Sequence, residues 1–427
     1  MDQRIEALCS FLDSAKSVYH GIDSLRWRLE EEEYQYLPES AQWNLKPGGK
    51  YYLTRGGTSL IAFRIPEDWA EGFLMSASHS DRPTFKFKEN GELAGKYTRI
   101  ATEKYGGMLI APWLDRPLSL AGRVVVETED GLCSKLVDID RDLLLIPNVA
   151  IHMNRKANEG YSWNPAVDTL PLLGGAEAAG GLQALLQEEA GGLVMGHDLY
   201  LYVRQKASVW GLNQEFISSA ALDDLECVWC CTEGFLNAEM GNSVPVLCVF
   251  DSEEVGSSSL QGAASNLLEA TLQRICQAMD WNIHRMLSQS FMVSADNAHA
   301  VHPNHPEFAD SGNAPVINQG IVVKFNANQR YTTDGMSAAI FRRICEKADV
   351  PVQTYCNRAD MPGGSTLGNI SLNHVSVPSV DIGLPQLAMH SCYETAGVQD
   401  ALFLADAMAV YYASTFRTDG DGSIIIE

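Results

Sequence analysis

Residues 244–256 read VPVLCVFDSEEVG, and this stretch decides the fold. From Val244 to Phe250 there is no charged residue. A short apolar run bounded by polar residues predicts a strand buried on both faces, as inside a parallel sheet. The chain then presents Asp251, Glu253 and Glu254 in close succession, and Gly256 lets the backbone turn away. Crowded carboxylates repel one another, so this turn calls for a cation, either a solvated Lys or Arg or a metal ion. Taken alone, an acidic surface loop explains the same residues, because most Glu is solvent-exposed. Other parts of the chain must decide.

At 427 residues the chain exceeds one ordinary core and predicts two domains. It is 46% hydrophobic and 20% charged, in the range of globular proteins. No apolar run approaches the roughly 20 residues of a membrane helix, so no membrane partner is expected. The opening MDQRIEALCSFLDSAK is charged throughout and lacks the apolar core of a secretory signal. Ten Cys without a framework spacing fit a reducing, cytoplasmic setting. No two CxxC motifs are paired at zinc-knuckle spacing, so a metal would rest on His and carboxylates. The net charge of −23 argues against nucleic acid, favours cations, and poses a puzzle for any acidic substrate.

Outward from 244–256 the elements alternate. Ile5, Leu8, Leu12, Ala15 and Tyr19 keep helical spacing, which predicts a helix over 3–19, with a second around 24–34. Residues 51–54 and 59–63 form a hairpin pattern across Gly56-Gly57. A strand over 72–78 ends at His79-Ser80-Asp81, where sites of α/β sheets lie. The texture then becomes β-rich, with a hairpin pattern at 124–128 and 132–137, a short helix within 174–192 and a strand at 198–204. Helix–strand alternation resumes with a helix opening at Asp223, a long helix over 263–287 and a His-rich loop at 294–307. Strands at 321–325, 352–355 and 377–383, a helix near 335–348, a Gly-rich turn at 361–367 and a helix carrying Leu402, Ala405, Ala409 and Tyr412 complete it. The expected fold class is α/β, a largely parallel central sheet flanked by helices. The expected domains are a catalytic one from 1–85 and 213–427, and a mainly β one inserted at 86–212.

Seven His and acidic residues fall just after expected strands or between elements: His79, Asp81, Asp223, Glu253, Glu254, Asp296 and His390. Singly each is weak, since a lone strand-end His is usually structural. Together they are the inventory of a two-metal hydrolase, with carboxylates to bridge and one left free as a base. Nitrogen and oxygen donors without thiolate suit Zn²⁺, with Co²⁺ or Mn²⁺ as replacements.

Several motifs carry a resemblance: SASHSDRP (76–83), ALDDLE (221–226), DSEEVGS (251–257), SADNAHAVHPNHPE (294–307), KFNANQRY (324–331), GGSTLG (363–368) and MHSCYE (389–394). With LKPGGKYYLTRGGTSLIAFRIP at 45–66, the sequence resembles the M18 metalloaminopeptidases of the aspartyl aminopeptidase group. The resemblance implies a zinc-peptidase-type catalytic domain and an inserted dimerisation domain. It implies two divalent ions per subunit, with Asp223 bridging, His79 and Asp296 completing one site, and Glu254 and His390 the other. It makes Glu253 the general base and Asp81 the residue that orients His79. His152 in IPNVAIHMNR matches a His that reaches a neighbouring subunit's active site. Substrates would be peptides with acidic N-termini. Lys324 is then the first candidate for substrate binding, with Arg330, Gly364 and His302 beside it. His299 and His305 are expected to shape their loop or to support the ligands from behind. A homododecamer assembled through the inserted domain is implied as well.

Two positions depart from the family pattern. Arg82 stands where Ser is common, and could disturb the approach to His79. Asp224 stands where Asn is common, and would add negative charge beside the bridge. A broader-specificity aminopeptidase, a metal-dependent deacylase and a catalytically silent assembly protein are the competing readings. The complete ligand set disfavours the silent one.

Overall fold

The computed structural model describes residues 2–361, 363–420 and 422–427. Pro362, within the expected Gly-rich turn, lies outside them. The fold is mixed α/β and centres on a nine-stranded sheet. Across it run Gln35–Tyr36, Lys50–Arg55, Ser59–Arg64, Val244–Phe250, Phe73–His79, Phe291–Ala295, Ser379–Gly383, Ile321–Phe325 and Val352–Cys356. The four middle strands, from Val244–Phe250 to Ser379–Gly383, are mutually parallel. Every residue of Val244–Phe250 is buried, as its uncharged run predicts.

Helices cover both faces. Gln3–Ser14, Val18–Glu31, Leu222–Asn237, Gly335–Lys347 and Val398–Ala413 share one core with the sheet. Leu267–Met279 and Ile283–Ser288 pack a second core on the other face. A separate six-stranded antiparallel sheet is built wholly from strands between Thr84 and Val203, with its own core around Phe85, Trp113 and Leu120. A five-stranded sheet joins Ser208–Trp210, Phe216–Ser219, Glu394–Gly397, Pro385–Leu387 and Ala298–His299 beside the main one.

Five expectations are corrected. The helix expected over 3–19 stops at Ser14, and the second starts at Val18 rather than near 24. Ala15 and Tyr19 stay buried across the break, so the apolar spacing continues although the helix does not. The helix expected over 263–287 is two, divided after Asp280 takes a left-handed φ of 57°. The helix at 222 becomes regular only past Asp224, because Asp223 and Asp224 have non-helical backbone angles. The loop expected at 294–307 instead begins as the end of strand Phe291–Ala295, and Ala298–His299 pairs with Pro385–Leu387.

The helix Leu222–Asn237 buries Glu226 completely, with Oε2 accepting from Asn297 Nδ2 at 3.3 Å. Burial first, and Asp400 next, push its carboxyl up to about 8. Above pH ~5 the unfolded chain ionises this group while the folded chain keeps its proton, so rising pH favours unfolding through that window. Glu226→Gln should therefore flatten the fall in melting temperature between about pH 5 and about pH 8. Thermal scans at both pH values check it, and an unchanged slope counts against it.

Candidate metal centre

The carboxyl ends of the parallel strands meet at one cleft. His79 is the last residue of Phe73–His79. Glu253 and Glu254 open the short turn after Val244–Phe250, made possible by Ser252 and Gly256 at positive φ. Asp296 follows Phe291–Ala295, and Asp223 sits in the irregular first turn of Leu222–Asn237. His390 comes in from the turn between Pro385–Leu387 and Glu394–Gly397.

Two trios of donors result, sharing Asp223. In His79, Asp223 and Asp296, and again in Asp223, Glu254 and His390, one donor atom from each residue lies within 4.8 Å of the others. Asp223 Oδ1 is 3.6 Å from His79 Nε2, and Oδ2 is 3.5 Å from His390 Nε2. Glu254 Oε2 is 3.4 Å from His390 Nε2. Asp223 Oδ1 and Glu254 Oε1 are buried without a hydrogen-bond donor among the described residues. Buried carboxyls that face imidazole nitrogens and still hold an unpaired oxygen are what a cation would satisfy. The donor set fits divalent metal.

The local electrostatics agree. Burial disfavours a charged His79, yet Asp223 and Asp81 outweigh it and raise its pKa well above the usual value. Asp223 is held low despite burial, by the imidazoles of His390 and His79 that face its two oxygens at 3.5 and 3.6 Å. Glu254, Asp224 and Glu394 are pushed well above the usual range, by burial first and then by neighbouring carboxylates. Glu253 is pushed up to about 8 by burial, and Asp296, Asp81 and Asp223 add to the shift. Positive charge is what this cleft lacks.

A supporting layer fixes the donors. Asp81 faces His79 Nδ1, with Oδ1 at 3.4 Å and its backbone oxygen at 3.1 Å. Lys324 is buried and donates to the backbone oxygens of Asp296 and Asn297, at 2.7 and 3.3 Å, with Asp296 Oδ2 3.7 Å away. Two residues without an assigned role in the sequence reading join them. Glu394 accepts from the backbone N–H of His390 at 2.7 Å and of Asp223 at 3.0 Å, tying two donors to one carboxyl. Asn297 Nδ2 reaches Leu222 O, Glu226 Oε2 and Gln386 Oε1. Their only sequence signal is position, one after Asp296 and the other four residues beyond His390.

The cleft encloses about 190 Å³ and is lined by the five donors, Glu253, His299, Lys324, Tyr331, Tyr355 and Gly364, among others. His299 thus stands at the cleft, where the sequence reading favoured His302. His302 is exposed and turned towards His305, their rings 5.3 Å apart. Arg330 is also exposed and lines a neighbouring depression with Asn326 and Arg358. Neither is among the residues lining the cleft. His152 lies on an exposed turn flanked by exposed Ile151 and Met153. Arg82 does not obstruct His79: its guanidinium donates to Ala15 O at 2.6 Å and to Lys16 O, binding the end of the first helix. Asp224 Oδ2 accepts the backbone N–H of His79 at 3.1 Å, so it supports the ligand's backbone.

A family model for the aminopeptidase I zinc metalloprotease family (M18) matches residues 11–412. The chain belongs to the M18 family. It is 41% identical over 421 residues to a probable M18 family aminopeptidase 2 of Clostridium novyi, covering 95% of this chain and 97% of that one. A protein of the same description from Pseudomonas aeruginosa is 41% identical over 424 residues, covering 96% and 98%. Among solved structures, a chain of the Ape4 and Nbr1 complex superposes with a TM-score of 0.92 at 35% identity, covering 96% of this chain and 85% of its own. The S. cerevisiae mApe1 dodecamer gives 0.84 at 25% identity, covering 96% of each. The chain is accordingly a metalloaminopeptidase of the zinc-dependent M18 type.

The cleft should be more stable with metal than without. Stripping divalent ions with a chelator should lower the melting temperature, and Zn²⁺, Co²⁺ or Mn²⁺ should restore it with a concentration-dependent rise. Equal melting temperatures with and without metal would contradict the assignment of these donors.

Proposed function

We propose that this M18 enzyme removes an acidic residue from the N-terminus of peptides, using two divalent ions per chain. The observation that carries the proposal is the pair of donor trios sharing Asp223, with Glu253 beside them and outside both. His79, Asp223 and Asp296 would hold one ion, and Asp223, Glu254 and His390 the other. When bound, such ions polarise the scissile carbonyl and acidify the attacking water.

Glu253 is the free carboxylate of the cleft. The charge delivered to the two trios draws its raised pKa back down, so it can accept a proton near neutral pH. Its carboxylate then takes the proton of the attacking water and passes it to the departing amine. Asp81 keeps the His79 ring in one orientation.

Support for an acidic preference comes from Lys324, which is the only Lys or Arg among the described residues lining the cleft. Its buried ammonium donates to the backbone oxygens of Asp296 and Asn297 and lies 3.7 Å from Asp296 Oδ2, a fixed positive charge at the cleft wall towards which a substrate carboxylate would be drawn. Gly364 offers backbone close to the same wall. Arg330 and His302 are further out and would touch only longer substrates.

Residues 86–212 are proposed to act as the assembly domain, and the dodecamer named for S. cerevisiae mApe1 is the proposed oligomer. His152, on its exposed apolar turn, would reach a neighbouring subunit's cleft and steady the oxyanion there.

Glu253→Gln should retain both metal ions and lose at least a hundredfold in kcat, whereas Glu254→Gln should lose affinity for one ion. Metal analysis beside Asp-, Glu- and Leu-p-nitroanilide turnover separates the two, and hydrolysis that survives chelation would sink the scheme. Lys324→Met should raise KM for the Asp substrate and shift the Asp/Leu ratio towards Leu, roughly tenfold. An unchanged ratio would favour a broader-specificity aminopeptidase. His152→Phe should cut kcat at constant metal content, and full activity would reject its role.

A further inference from the structure

One wall of the metal cleft comes from outside the nine-stranded sheet. Strand Tyr97–Tyr105 of the six-stranded sheet ends beside the donors, and the next few residues run along them. Tyr105 Oη donates to Asp81 Oδ2 at 2.7 Å. The same Asp81 carboxyl accepts the backbone N–H of Glu253 on Oδ1 at 3.0 Å and of Glu254 on Oδ2 at 3.2 Å. Gly106 follows with φ 75°, and a Cβ there would lie 3.1 Å from Glu254 Cβ. Only glycine suits both the conformation and the space. Leu109 N–H then donates to the backbone oxygen of His390 at 3.0 Å. One short stretch thus touches the backing of Glu253, Glu254 and His390.

Asp81 therefore does more than face His79. Its carboxyl is a bracket for the Glu253–Glu254 backbone, and Tyr105 is the side chain that pins the bracket. We propose that Tyr105 is a positioning residue of the peptidase reaction, acting through Asp81 on Glu253 and Glu254, so that the six-stranded sheet completes the active site of its own chain. This rests on the proposed roles of Glu253 and Glu254. Tyr105 is not among the residues lining the cleft. It limits how far the turn carrying the base and one ligand can drift, and small misplacements of such groups are costly to rate.

Tyr200 supplies the control. Its ring meets Tyr105 edge-on at 5.9 Å, and its hydroxyl makes no side-chain hydrogen bond among the described residues. On zinc-loaded, fully assembled protein, Tyr105→Phe should lower kcat about tenfold with KM within about twofold, and hasten metal loss to a chelator. Tyr200→Phe should behave as the parent. In an Asp81→Asn background, Tyr105→Phe should cost less than about twofold more, because both changes cut the same connection. Parental kcat in Tyr105→Phe, or losses that multiply in full with Asp81→Asn, would overturn the proposal. A Glu253→Gln enzyme that still turned over would sink the role of Glu253 while leaving the Tyr105–Asp81 cycle readable, so the two failures are distinct.

Discussion

Like charges held together out of water are the constraint on which the rest of this structure depends. Asp223, Asp224, Asp296 and Glu394 are buried and Glu253 and Glu254 nearly so, all gathered around His79 and His390. In bulk water such carboxylates repel weakly, but within a protein the same repulsion is several times larger. The chain answers it by setting the Asp223 and Glu254 carboxyls against the imidazole nitrogens of His79 and His390, and by Lys324 beside Asp296. Carboxyl groups bridging N–H donors, such as Asp81 and Glu394, then keep the crowded backbone in place. A cluster so arranged is unfavourable when empty and favourable around cations. The metal dependence of the family follows from that imbalance.

The parallel sheet makes the arrangement affordable. His79, Glu254 and Asp296 hang from the ends of strands buried along their whole length, so the cost of crowding is met by packing far from it. The neighbouring glutamates part company within one short turn, Glu253–Val255, closed by the Gly256 N–H on the Glu253 backbone oxygen. One faces His390 and the other stays outside both donor trios.

Much of this was legible in the residues. The uncharged run Val244–Phe250 is a central strand because seven apolar positions in a row leave no solvent face. His79 could be placed at a strand end from texture alone, whereas Asp296 was expected in a loop and the pairing of donors into two sites came from resemblance. Sequence separation explains why: Asp223 and His390 are far apart in the chain, and only topology brings them together. The same holds for Tyr105, Glu394 and Asn297, whose work is hydrogen bonding across sheets and leaves no periodic trace. The break after Ser14 was hidden because Ala15 and Tyr19 keep facing the core. Breaks are set by backbone angles, and apolar spacing does not record them.

The acidity of the chain also takes on a different meaning at the cleft. A net charge of −23, taken over the whole chain, repels a substrate with an acidic N-terminus. Yet the charges that matter are those lining the cleft, because exposed ones are screened within about 8–10 Å by physiological salt. Four carboxylates line it: Asp223, Glu253, Glu254 and Asp296. Two divalent ions would balance them all, and Lys324 then remains as surplus positive charge at the wall. On the proposed reading, the loaded cleft is a cationic pocket inside an acidic protein. The acidic exterior then bears on solubility and on gathering cations, while the pocket alone selects the peptide end.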